Sequence, residues 1–185
     1  MTTDRYDDLM FGLYRGVAPD WIPESRRELF LRESVRRRCA LGQTLRANWR
    51  CSLVLAEAVV SDDVSLAIYA RWPDHRDATV NVTTGLYLAM TDVIERAHNH
   101  ALWELFQYET LVVNDLLCAP GLASRGDEVY AFRYDVCALH THLTLYASAS
   151  APARFARELQ PVKRETVVVR RKVAGRWSLE DVAVD

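Results

Sequence analysis

The chain has 185 residues, half of them hydrophobic and 26% charged, an ordinary globular balance with enough apolar material for one core. No run of about eighteen apolar residues occurs, which argues against a transmembrane helix, and the acidic start with Asp4, Asp7 and Asp8 lacks the order of a secretory leader. The formal net charge of −2 is too weak to name a nucleic-acid partner, and four scattered cysteines (Cys39, Cys51, Cys118, Cys137) with no C-x-x-C read as reduced, mostly buried thiols of an intracellular protein.

Tyr6, Leu9, Met10, Leu13 and Tyr14 have helical spacing, so residues 1–20 form a short amphipathic helix ended by Gly16 and Pro19, or an arm that docks on another subunit. Pro23 then opens a second helix, where its missing N–H costs nothing. Glu24 and Glu28 sit at the positive end of that helix dipole and Arg36, Arg37 and Arg38 come later, the favourable order. Leu31, Val35, Cys39 and Leu45 supply its expected buried side, with a break or bend at Gly42. From Trp49 to Val60 the pattern suits either strand or helix; the alternation of Trp49, Cys51, Leu53 and Leu55 favours a strand. Val64–Trp72 and Thr79–Thr83 would continue it as an antiparallel meander.

Thr84 is the expected cap of a long central helix carrying Leu86, Met90, Val93, Ala97, Ala101, Leu105, Tyr108, Val112 and Leu116 on one apolar face. Unbroken, it would be about 50 Å long, too long for a domain of this size, so a break is expected at His100–Trp103 or near Thr110. Glu128–Ser148 alternates as one long bent strand or a pair, and the chain finishes as a hairpin turning at Ala174-Gly175. The expected architecture is one α+β domain over residues 1–185. It has a mostly antiparallel sheet of five to six strands packed against the N-terminal helices and the long central helix.

Four of the five histidines fall in two His-x-His pairs, the constellation that most resembles metal or acid–base chemistry. On a helix, His98 and His100 diverge by about 200° and cannot share an ion. On a strand, His140 and His142 share a face with Tyr134 and Tyr146, and these four are the catalytic or small-molecule candidates. His140 and His142 are also the metal candidates, with Glu109, Asp115 or Asp135 as further ligands, while Cys137 would point to the other face. Two co-facial histidines make half a site at most, and no nucleophile elbow or phosphate-cradling loop is present. No cofactor is expected.

Residues 21–50 hold eight basic residues against three acidic, and residues 51–135 five against thirteen, an alternation that can organise self-association. Arg26, Arg32, Arg36 and Arg37 on the second helix, together with Trp103, are the candidate partner-facing residues. Glu24, Glu28 and Glu33 are interleaved with those arginines, which favours a solvated or protein-facing helix over one that grips phosphates.

Three functions are therefore in play. The leading one is a non-enzymatic assembly module, accessory, structural or regulatory, acting through homo- or hetero-oligomer contacts. The second is a small-molecule-binding or enzymatic α+β cone with a His140/His142 pocket. It draws on the ending Val169–Leu179, which resembles the final hairpin of cone-shaped folds similar to nuclear transport factor 2 over about a tenth of the chain. The long central helix departs from that pattern, so no residue roles are carried over. The third is nucleic-acid binding through the arginine-rich helix 24–38. No membrane partner is expected.

Overall fold

The computed structural model describes residues 3–60, 63–75, 81–117, 128–146, 156–173 and 176–182. In chain order these form α1 (Thr3–Arg15), α2 (Glu24–Asn48), α3 (Arg50–Val60), α4 (Val64–Arg71), a 3-10 turn (Trp72–His75), α5 (Val82–Arg96), α6 (His100–Leu117), β1 (Glu128–Phe132), α7 (Val136–Tyr146), β2 (Thr166–Val173) and β3 (Arg176–Val182). The expected sheet of five to six strands does not form. Among the described residues there is one three-stranded antiparallel sheet, ordered β1–β2–β3, in a mainly helical chain. Helix-rich α+β is the fold class.

Each correction has an identifiable cause. Residues 50–60 are helical because the backbone donors at their start are met by a carboxylate distant in sequence, described below. Cys51, Ser52, Leu53, Val54, Leu55 and Ala56 are all buried, so over these six residues the helix turns no face to water and shows no 3.6-residue period. Residues 64–71 are helical because Asp63 caps them, its side chain accepting from the Leu66 N–H. Of the expected strand or strand pair over 128–148, Glu128–Phe132 is the extended part among the described residues. Asp135 then starts α7 by accepting from the Ala138 N–H at 2.9 Å, and Val136, Leu139 and Leu143 are buried at helical spacing. Of the expected strand 79–83, Thr79 and Val80 lie outside the described residues and Val82 opens α5.

The contacts divide the chain into two compact units, residues 1–47 with 62–93 and residues 48–61 with 94–185. In the first unit, α1 ends at Gly16, where a φ of +77° lets both Gly16 and Val17 turn their N–H groups onto the Gly12 carbonyl. The Tyr14 and Trp72 rings meet at 4.5 Å between centroids, and Leu41, Leu45, Ile68, Leu86 and Met90 are buried. α2 runs unbroken through Gly42. A Cβ there would come within 2.5 Å of the Tyr69 hydroxyl, so this glycine serves a close approach and not a bend.

In the second unit α3, α6 and α7 pack against one another pairwise. Leu102, Leu105, Phe106 and Leu143 are fully buried there, and the Trp49 indole donates to Thr110 Oγ1 at 3.1 Å. Leu111, Phe132, Val136 and Val168 form a second cluster beneath the sheet, joined by Tyr108, Tyr130, Tyr134, Cys137 and Leu179. β1 and β2 pair Glu128 with Arg170, and β2 continues into the C-terminal hairpin with Val173 opposite Arg176. The buried Arg170 guanidinium reaches Glu128 at 3.0 Å.

The long helix breaks at residues 97–99, just ahead of the first expected position. His98 takes a φ of +49° there. Asn99 restarts the helix, its side chain accepting from the Leu102 N–H at 2.9 Å. At the other end of α5 the cap is Asn81 and not Thr84, the Thr84 N–H donating to Asn81 Oδ1 at 2.8 Å. The Asn81-Val82-Thr83 triplet is thus a helix start.

Candidate functional sites

The helical conformation of 136–146 takes the expected co-facial pair apart. His140 and His142 are two positions apart on α7 and point about 200° from each other; His142 is exposed and His140 half-buried. Tyr134 packs on the cluster beneath the sheet, and Tyr146 is exposed at the far end of α7, so the four residues share no face. Asp135 caps α7 and reaches Arg164 at 3.5 Å. The side chain of Asp115 lies outside the described residues. His98 and His100 are both exposed at the break between α5 and α6.

His140 instead meets two residues from other helices. Cys51 lies in the first turn of α3, Glu109 in the middle of α6 and His140 on α7, and their ligand atoms all lie within 4.8 Å of one another. Glu109 organises the group. Its side chain is only 6% exposed. Oε1 accepts from the Cys51 N–H at 2.9 Å, and Oε2 accepts from the Ser52 N–H at 2.8 Å and from the Ser52 hydroxyl. The first N–H groups of a helix have no intrahelical acceptor. Trp49, where an N-cap side chain would sit, has none to offer, so Glu109 supplies it from α6, at the positive end of the α3 dipole.

The other two members are equally placed. The Cys51 thiol touches the His140 carbonyl at 3.7 Å and Thr144 Oγ1 at 3.3 Å. Burial first, and then the Glu109 carboxylate, push this thiol up to about 12, so the sulfur is a protonated thiol and no thiolate nucleophile. His140 Nε2 stands 3.7 Å from Glu109 Oε1, and the Tyr108 ring meets the imidazole edge-on at 5.3 Å between centroids. Cys137, expected to point to the opposite face of a strand, lies instead on helix α7 and packs against the cluster beneath the sheet. Cys51 was missed because a strand reading made it one more core thiol. The legible signal was Glu109, an acid four residues after Leu105 on the apolar face of α6, which has to be satisfied by something buried.

The partner-facing candidates land on two surfaces. On α2, Arg26 is exposed, Arg32 pairs with Glu28 at 2.6 Å, and Arg36 and Arg37 both grip Glu33 at 2.7 and 2.8 Å. The two arginines hold the Glu33 carboxyl down to about 2 through their hydrogen bonds. Arg36 and Arg37 also border an open cleft of about 490 Å³ with Tyr14, Thr44 and Trp72. Trp103, on α6, is half-buried and lines a shallow groove with Glu104, Tyr130 and Arg133. Glu104 closes one side of that groove by accepting from the Arg133 and Tyr134 N–H groups at 2.8 and 3.0 Å.

The buried side of α2 differs from the expected one. Phe30, Ser34, Leu41, Gly42 and Leu45 face inward. Leu31 and Val35 are 43% and 52% exposed, and Cys39 is exposed as well.

The chain matches no known protein family, no curated protein and no solved structure. No helix among the described residues is long and apolar enough to cross a membrane.

Proposed function

We propose that this protein is a non-enzymatic assembly module that self-associates through the outer face of α2, with a second copy of the chain as the occupant. The observation that carries the reading is the stripe Leu31, Val35, Cys39, spaced i, i+4, i+8 on an exposed side of a helix whose core-filling side, Phe30, Ser34, Leu41 and Leu45, lies about 110° away around the axis. Leu66 on α4, itself exposed, extends the stripe: it borders a shallow cleft together with Val35 and Cys39. An apolar row of this kind, flanked by charge, is the pattern of a helix–helix seam.

Charge favours an antiparallel copy. With the two-fold axis at Val35, Leu31 of one copy lies against Cys39 of the other, and Glu24 lies against Arg46, so acidic and basic ends meet. One helix pair is a small interface beside the ~800 Å² per partner of a standard stable one, so the dimer is expected to dissociate on dilution. Nucleic-acid binding competes for the same helix. Against it, Arg27, Arg32, Arg36 and Arg37 are already paired with Glu24, Glu28 and Glu33, and phosphate would have to displace those carboxylates.

Light scattering across a dilution series tests the proposal. Wild-type protein should pass from dimer to monomer as it is diluted, and Val35→Asp should be monomeric throughout with an unchanged helical spectrum. A wild-type monomer at hundred-micromolar concentration would overturn it, as would a dimer indifferent to Val35→Asp.

A further inference from the structure

We propose that Cys51, Glu109 and His140 bind one divalent transition-metal ion of the zinc type. Three helices deliver one sulfur, one oxygen and one nitrogen to a common point. That mixed set suits zinc or cobalt, whereas calcium and magnesium take six or more oxygens. A capping role accounts for Glu109 alone. It gives no reason for a thiol and an imidazole to converge on the same carboxylate.

The geometry agrees with coordination better than with a direct contact. His140 Nε2 and Glu109 Oε1 are 3.7 Å apart, beyond hydrogen-bond range. Two ligands bound at about 2.0–2.1 Å to a tetrahedral ion stand about 3.4 Å apart, so a shift of a few tenths of an ångström would complete the arrangement. Glu109 Oε1 accepts from the Cys51 N–H and faces His140 Nε2, and the contact between the Cys51 thiol and the Glu109 carboxylate is the one that an ion would replace with two coordination bonds. Oε2 is held by Ser52, the kind of outer support that fixes a ligating carboxylate. The side chain of His140 is about one-third exposed, which gives an entry path and leaves a fourth position for water.

The charges also balance. Binding drives the Cys51 proton off to solvent, and a 2+ ion with one thiolate, one carboxylate and a neutral imidazole is net neutral, the state that burial favours. This proposal is independent of α2 self-association, which uses none of the three residues.

The test is a titration of cobalt(II) alone into reduced, metal-free, full-length protein. The expected result is uptake of one equivalent with a thiolate-to-cobalt charge-transfer band and the strong visible bands of tetrahedral cobalt, both displaced by zinc. Cys51→Ser, close in size, should abolish the charge-transfer band. His140→Ala should weaken uptake on the order of tenfold or more, while Cys39→Ser and Cys137→Ser should bind like wild type. Wild-type protein that shows no thiolate band would overturn the proposal without reference to any variant. So would a band that persists in Cys51→Ser.

Discussion

The α2 surface and the Cys51–Glu109–His140 cluster use the same currency, charged side chains and helix ends, in opposite ways. On α2 the glutamate–arginine pairs are three or four residues apart and lie at the surface, exposed or half-buried, so the charges largely satisfy one another locally and leave Leu31 and Val35 uncovered. In the cluster the partners are 31 to 89 residues apart in the sequence. They are brought together by the packing of three helices, and the carboxylate is sealed from water. Surface pairing of the first kind contributes little to stability because solvent and salt screen it. Buried pairing of the second kind is costly to disturb, because a donor stripped of its acceptor has no water to turn to.

The sharpest way to break this contrast is to remove one glutamate from each region. Glu109→Ala strands two N–H groups and a hydroxyl at the start of α3, and a loss of about 3–5 kcal/mol is expected, each stranded donor costing roughly 1–3. Urea unfolding measures it. Glu109→Gln should recover only part, since its amide sets an N–H₂ against donors. Glu33→Ala, in the same measurement, should leave the midpoint where it was. Comparable losses for the two would erase the distinction.

The next largest effect concerns Gly42. Alanine normally stabilises a helix relative to glycine by about 1 kcal/mol, but here its Cβ collides with the Tyr69 hydroxyl. A net loss of about 1–2 kcal/mol is expected from overpacking. In a Tyr69→Phe background the same substitution should become neutral or stabilising, and a thermal-melt cycle of the four proteins reads the coupling.

A smaller effect appears at alkaline pH. Burial and the neighbouring Glu128 push the Tyr130 hydroxyl up to about 12, and burial also raises Tyr69. Both ionise later in the folded chain than in the unfolded one, where tyrosine titrates near 10. The stability that Tyr130 holds is complete below pH 10 and is lost as pH climbs from 10 towards 12, and Tyr69 adds a loss of the same sign above pH 10. Urea midpoints should fall across that window, with tyrosinate absorbance rising late; midpoints flat to pH 12 would contradict the burial of these rings. Smallest of all, Val35→Asp should shift unfolding of the monomer by less than about 0.5 kcal/mol.

What the sequence revealed follows the same division between near and far. α1, the start of α2 after Pro23 and the C-terminal hairpin were legible because their signals are local: apolar spacing, a helix-opening proline, a Gly-containing turn. α3 was not, because its cap comes from Glu109. α7 was misread because Val136, Leu139 and Leu143 sit in a stretch that also alternates, and the Asp135 cap that decides the matter was overlooked. The α2 stripe was seen but assigned inward: Leu31, Val35 and Cys39 look like a core face until Phe30, Ser34 and Leu41 are found occupying that role. For the cluster, only His140 and Glu109 were named in advance, and as members of a different constellation. Cys51 carries no local mark of its role.

The central claim, that the exposed face of α2 meets its own copy about Val35, is tested most directly by cross-linking. In a Cys39→Ser background, Val35→Cys places one thiol on the proposed two-fold axis, while Leu29→Cys places one on an exposed position about 120° away around the helix. Under mild oxidation at micromolar concentration the first should give a disulfide-linked dimer rapidly, and the second should remain monomeric like the parent. Equal cross-linking of both, or none at position 35, would contradict the account.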